Sequence, residues 1–214
     1  MTNLMIIPFF LPLLAWAAVA IAGSLLGVGV ISMFKGDTNK LGLLGMHASG
    51  KTRFLNFLQK VPYIEKNSGR DDYEEFTFTT ENRKKIIIKA GVDIGGGNIY
   101  RSSYNSIIKD SDVVFYFFDI DKYFKNEKTK DNELYQRDCN SRFEHVYSES
   151  LKRSNILKVI ATHRDNCNLS DDEMKSKLFE IIRYKSYKSM LENVDFINLT
   201  NTGEVKKLVN KYFK

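Results

Sequence analysis

Residues 40–52 read KLGLLGMHASGKT, an apolar run followed by a loop with a glycine at each end, and this stretch decides the fold. Its last eight residues, Gly45, Met46, His47, Ala48, Ser49, Gly50, Lys51 and Thr52, fit the pattern G-x-x-x-x-G-K-[ST] in full. Residues 40–44 read as a buried strand, and residues 51–58 (KTRFLNFL) as a helix with Phe54, Leu55 and Leu58 on one face. Strand, loop and helix in that order gather backbone N–H groups and the positive end of a helix around one point, as polyphosphate binding requires. In such a loop the glycines permit the turn, Lys51 reaches the β/γ oxygens and the Thr52 hydroxyl ligates Mg²⁺. The stretch predicts a nucleoside triphosphate site.

Further along the chain, apolar runs alternate with helical patterns. Residues 74–80 (EEFTFTT) and 85–92 (KIIIKAGV) read as a hairpin, with residues 59–72 as a loop before it. Residues 113–119 (VVFYFFD) and 156–162 (ILKVIAT) have the unbroken apolar character of central strands, and residues 195–199 (DFINL) form another. A helix over residues 134–151 would place Phe143, Val146, Tyr147 and Leu151 on one face. Residues 170–173 (SDDE) match a capping box, followed by Met174, Leu178, Ile181 and Ile182 at helical spacing, and Val205, Leu208, Val209 and Tyr212 mark a final helix. Residues 122–132 read as a charged loop of low complexity. The order implies an α/β fold, a mostly parallel six-stranded sheet flanked by helices, with ligands at the carboxyl ends of the strands.

The N-terminus carries a different signal. Residues 4–34 contain no Asp, Glu, Lys, Arg or His, and a helix over residues 12–33 would be about 33 Å long against a hydrocarbon core of about 30 Å. A cleaved signal peptide is the alternative, since Ala18, Val19 and Ala20 resemble a cleavage site; the uncharged start and the length of the run oppose it. The expected organisation is a transmembrane helix at 4–34, a linker at 35–39 and a P-loop domain at 40–214. Lys35, Lys40, Lys51 and Arg53 follow the span, which puts the domain in the cytoplasm, behind a bacterial inner membrane or the endoplasmic reticulum. Gly23 and Gly27 form a G-x-x-x-G pair that either brings two such helices together as a homodimer or reflects the frequency of small residues in these helices.

A net charge of +6 is spread among acidic and amide residues, and a basic protein beside anionic lipid needs no nucleic-acid partner to explain it. Cys139 and Cys167 lack metal-ligand spacing and read as reduced thiols.

Asp93-Ile94-Gly95-Gly96 fits D-x-x-G, in which Asp93 holds Mg²⁺ through its water shell and the Gly96 N–H meets a γ-phosphate. Residues 93–101 (DIGGGNIYR), with the apolar strand ending at Phe118 and Asp119, resemble the D-x-G-G-Q segment of Arf-type small GTPases. The resemblance spans roughly residues 40–213. A GTPase domain behind one membrane helix is also similar to the β subunit of the signal recognition particle receptor and to membrane-anchored bacterial GTPases. The resemblance implies GTP/GDP and Mg²⁺ as cofactors, and a nucleotide-dependent switch read by a protein partner at the cytoplasmic face.

It also gives a counterpart to the guanine motif N/T-K-x-D in Thr162-His163-Arg164-Asp165. Asp165 would accept from guanine N1 and the exocyclic amine, and His163 would stand in for the lysine stem along the base. Thr200 falls in the last base-contacting loop. Three positions depart from the family. Gly97 occupies the place of the water-orienting Gln, and residues 59–72 offer only Ser68 in place of the Mg²⁺-ligating Thr. The third is His47, in a position where many relatives carry a small residue. Hydrolysis is therefore expected to be slow, with His47 and Asn98 as candidate catalytic residues. The alternatives are a catalytically impaired pseudo-GTPase scaffold and an ATP-dependent P-loop enzyme such as a kinase, for which no acceptor site or lid signature is present.

Overall fold

The computed structural model describes residues 40–62, 70–80, 83, 85–88, 90–94, 101–129, 132–153 and 156–212. The expected membrane span (4–34) and linker (35–39) lie outside these residues, as do Ser68, Gly96, Gly97 and Asn98. No helix among the described residues is long and apolar enough to cross a membrane.

In chain order the elements are β1 (Lys40–Gly45), α1 (Lys51–Gln59), β2 (Arg70–Tyr73), β3 (Phe76–Thr79), β4 (Lys85–Ile88), β5 (Gly91–Ile94), α2 (Arg101–Asp110) and β6 (Val113–Asp119). There follow α3 (Ile120–Lys125), α4 (Tyr135–Arg153), β7 (Ile156–Thr162), a 3₁₀ turn (Arg164–Asn166), α5 (Asp171–Ile181), α6 (Lys188–Leu191), β8 (Asp195–Ile197) and α7 (Thr202–Tyr212). The main sheet has six strands in the order β3-β4-β1-β6-β7-β8. Only the β3–β4 pair is antiparallel.

β6 shows why this sheet must be covered on both faces. All seven of its residues are buried, and their period-two alternation splits them between two cores. Val113, Phe115 and Phe117 pack with Leu41 and Leu43 of β1 against Phe54, Leu55 and Leu58 of α1 and Val205, Leu208, Val209 and Tyr212 of α7. Val114, Tyr116 and Phe118 face Tyr104 and Ile108 of α2, Phe143 and Val146 of α4, and Met174 and Leu178 of α5. Burying a side chain of this size contributes about 1.5–3 kcal/mol, so β6 fixes the order of the layers. Gly42 lets α2 approach β1 closely, because a Cβ there would meet Ile107 Cγ2 of that helix at 2.7 Å.

Several expectations are corrected. Residues 59–72 are not wholly loop, since Arg70–Tyr73 form β2, which pairs antiparallel with β5 in a separate two-stranded sheet. The second strand of the hairpin ends at Ile88, and residues 91–94 leave the main sheet for that ribbon. The charged stretch at residues 122–132 is helical at its start, because Asp119 caps α3 by accepting from the Lys122 N–H at 3.0 Å. Leu151 lies in the last turn of α4 and is 57 % exposed instead of joining the buried face. The short helix α6 carries no cap or periodicity long enough to read in the sequence.

The capping box forms as expected. Ser170 Oγ accepts from the Glu173 N–H at 3.3 Å, and the Glu173 carboxylate accepts from the Ser170 N–H at 2.8 Å. These hydrogen bonds lower the Glu173 pKa. Ser170→Ala should cost about 1 kcal/mol in urea unfolding at neutral pH. A group with a lowered folded-state pKa stabilises above its unfolded pKa and loses that effect as pH falls through the lowered one, so the difference should narrow on acidification.

Candidate nucleotide-binding site

The P-loop leaves β1 through a residue that must be glycine. Gly45 has φ 148°, and a Cβ there would lie 2.1 Å from the Phe117 carbonyl oxygen. This close approach lets the Met46 N–H donate to Phe117 O at 2.9 Å, fastening the loop to β6. Ala48 (φ 53°) and Gly50 (φ 85°) also lie in the left-handed region, and Gly50 is the N-cap of α1, where a Cβ would strike Leu199 Cδ1 at 2.4 Å. The result is a tight concave backbone at a helix N-terminus, with no side chain at either glycine to fill it.

Within the loop, Ser49 Oγ donates to Met46 O at 2.7 Å. Lys51, only 4 % exposed, donates from Nζ to Met46 O at 2.7 Å and to Gly45 O at 3.4 Å. Two carbonyls thus hold the ammonium against the loop. Thr52 is half-buried in the first turn of α1, and His47 is half-buried beside the more exposed Ala48.

A buried polar chain supports the loop from α2 and α4. Tyr104 OH donates to Gly45 O at 2.8 Å and accepts from an Arg142 guanidinium nitrogen at 3.1 Å, and Arg142 Nε donates to Asp138 at 2.9 Å. Burial raises the Tyr104 pKa, with Arg142 opposing it. Burial also works against the Arg142 charge, but Tyr104, Tyr116 and Asp138 outweigh it and raise its pKa. Arg142 therefore remains a cation in the interior. No local pattern in the sequence marks Tyr104 or Arg142 for this task.

On the other side, β7 ends at Thr162, whose buried Oγ1 lies 2.9 Å from Ser49 O and 3.0 Å from Phe118 O. The hydroxyl has one proton to share between these carbonyls, while its lone pairs can accept from His163 Nδ1 at 3.0 Å. Thr162 thus joins the loop after β7 to the P-loop and does not itself face outward. His163 takes a left-handed φ of 58°, with Nδ1 3.4 Å from a buried carboxylate oxygen of Asp119. Asp119 could have been suspected in the sequence as the one acid ending an apolar strand at its carboxyl edge.

Asp165 is exposed in the 3₁₀ turn that follows. Thr200 is exposed beyond β8, and its N–H and hydroxyl both donate to Asn198 Oδ1 at 2.7 Å. Asp93 lies on β5, which runs beside β1. Cys167 is no candidate nucleophile, since burial and the neighbouring Asp121 and Asp119 push its thiol up to about 11. Cys139 is buried, and both thiols are free.

The glycine-bounded loop thus lies between β1 and α1 at the carboxyl edge of a mostly parallel sheet. Among solved structures, the chain is similar to translation elongation factor SelB from Methanococcus maripaludis in complex with the GTP analogue GPPNHP, with 18% identity and a TM-score of 0.52. The match covers 83% of this chain and 34% of that one, so the chain spans about a third of the length of SelB. No protein-family model and no curated protein matches the sequence.

Thr162→Val keeps the side-chain shape and leaves the Ser49 and Phe118 carbonyls without their shared donor. It should destabilise the fold by about 1–3 kcal/mol, read as a lower midpoint in urea unfolding at unchanged slope.

Proposed function

We propose that this chain is a membrane-anchored GTP-binding protein, a nucleotide-dependent switch with slow GTP hydrolysis at the cytoplasmic face. One observation carries the reading: the Thr162 hydroxyl spans from the end of β7 to the Ser49 carbonyl, coupling the loop that carries Asp165 to the loop that carries Lys51. A site that grips a polyphosphate and reads a base needs these two loops at a fixed separation. The backbone cradle at Gly45 and Gly50 fits a phosphate chain, with Lys51 as its counter-charge. Thr52 and Asp93 are the residues that would hold Mg²⁺, an ion that binds through few protein ligands beside phosphates. When bound, Mg²⁺ offsets charge on the phosphate oxygens.

Base choice rests on Asp165, whose exposed carboxylate can accept two hydrogen bonds from guanine. His163, pinned by Thr162 and Asp119, offers a ring face in place of a lysine stem. Asp165→Asn turns an acceptor into a donor, so it should weaken GTP and improve xanthosine triphosphate. Discrimination by matched polar groups reaches about 10⁴–10⁵, and competition titration should show the preference inverting. Equal binding of ATP and GTP by the wild-type protein would favour the ATP-dependent alternative.

Hydrolysis is slow in this reading because Gly97 carries no group to orient water. Single-turnover GTP hydrolysis should run at about 10⁻⁴–10⁻³ s⁻¹, and Gly97→Gln should raise it without changing GTP affinity. A protein partner would then complete the site. A rate at or above about 1 s⁻¹, the range of an assisted site, would point to a group in cis, with His47 and Asn98 first to be mutated. No hydrolysis at all would favour the pseudo-GTPase scaffold.

The anchor is the apolar span at 4–34, and its Gly23 and Gly27 pair provides a route to a homodimer.

A further inference from the structure

A cleft of about 370 Å³ lies between the first half of α4 and the chain that joins α5 to α6. Its volume is that of a small-ligand pocket, roughly 300–1,000 Å³, but its lining is polar, with Leu134 as the one aliphatic side chain. A ligand there must hydrogen-bond along its length. α4 turns a single stripe toward it: Arg137, Asn140, Ser141 and Glu144 line the cleft at the i, i+3, i+4, i+7 spacing of one helix face.

Two carboxamides in the lining are set in advance by one buried residue. Tyr123 OH donates to Asn140 Oδ1 at 2.7 Å, and Tyr123 O accepts from Gln136 Nε2 at 3.2 Å. This leaves Asn140 Nδ2 and Gln136 Oε1, a donor and an acceptor one helical turn apart, without partners among the described residues. They match the C=O and N–H of a peptide unit. Charges in the cleft are also unmatched. Glu144 on α4 and Lys185 on the facing chain form no ion pair among the described residues, and Arg137 meets Glu133 at 3.3 Å with a side chain 70 % exposed. A solvated helix face carries such charges too, and Tyr187 sets this one apart. It lines the cleft, is 2 % exposed, and its hydroxyl has no hydrogen-bond partner, a costly arrangement unless something else completes it. Burial, and after it Cys139 and Glu144, push its pKa up, so it stays a neutral donor.

We propose that this cleft binds a short zwitterionic peptide of about three residues, its ammonium at Glu144 and its carboxylate at Arg137 and Lys185. An anion alone would face Glu144, and a cation alone would face Arg137 and Lys185, so the lining favours a ligand carrying both charges. The helix sets their separation. Arg137 and Glu144 stand two turns apart on α4, about 10.5 Å along the axis at 1.5 Å per residue, and three extended residues span about 10–11 Å. Asn140 lies between the two charges and Gln136 at the carboxylate end, where they meet the peptide amides. Tyr187, within the field of Glu144, donates to a carbonyl near the ammonium end. The proposal rests neither on the nucleotide reading nor on the apolar span.

The test uses the full-length protein in detergent micelles, with trialanine as the probe and its N-acetylated, C-amidated and doubly blocked forms beside it. In nuclear magnetic resonance spectra the side-chain NH₂ signals of Asn140 and Gln136 should shift saturably with trialanine, at a Kd on the order of 1 mM for so small a ligand. Blocking either end should weaken binding about tenfold, the effect of one hydrogen bond to a charged group. Arg137, Glu144 and Lys185 are exposed, so their variants should fold. Glu144→Gln should weaken trialanine and bind N-acetyltrialanine no worse than the wild type does, and Arg137→Gln/Lys185→Gln should erase the difference between free carboxylate and amide. Tyr187→Phe should weaken trialanine several-fold without lowering the urea midpoint, a result that a purely structural role does not give. Equal affinity for trialanine and its doubly blocked form would overturn the proposal. So would the absence of a saturable shift at up to about 20 mM trialanine, well above the expected Kd.

Discussion

The approach of the P-loop backbone to β6 is the constraint on which the rest depends. Phe117 O accepts from the Met46 N–H at 2.9 Å, in space that any side chain at Gly45 would occupy. The contact requires β6 to lie directly beside β1, and the register from Leu41–Val113 to Gly45–Phe117 provides that. β6 is also central in the sheet and buried on both sides, which calls for helices on both faces. The glycine-bounded loop is therefore fastened to the strand around which the two cores are layered.

Three elements then fix the loop from different directions. β6 holds Met46, β7 reaches Ser49 through Thr162, and α2 reaches the Gly45 carbonyl through Tyr104. Tyr104 thus ties α2 directly to the start of the P-loop. Arg142 makes the tie robust: a guanidinium kept charged in the interior, paired to Asp138, resists rearrangement because an unpaired charge there would be costly. Asp119 has a comparable place at the end of β6, where one buried carboxylate caps α3 and steadies His163.

Much of this was legible in the residues alone, for identifiable reasons. The P-loop and the central strands β6 and β7 show in unbroken local patterns, and the Ser170 capping box is a four-residue signal that formed as written. The break between β4 and β5 falls at Ala90 and Gly91, a weak strand interior, where the partners change from β1 and β3 to β2. Leu151 fits the apolar face of α4 by spacing, but it lies in the last turn of the helix and is exposed there. Tyr104 and Arg142 could not be found locally, because their meeting with Gly45 is made only by the packing of α2 and α4 on one face of the sheet.

The most direct measurement is calorimetric titration of the full-length wild-type protein with GTP and with ATP in the presence of Mg²⁺. The account predicts saturable one-to-one binding of GTP, weakened by chelating the metal, with ATP at least about 100-fold weaker. Binding of neither nucleotide would contradict the assignment of the P-loop as the functional site.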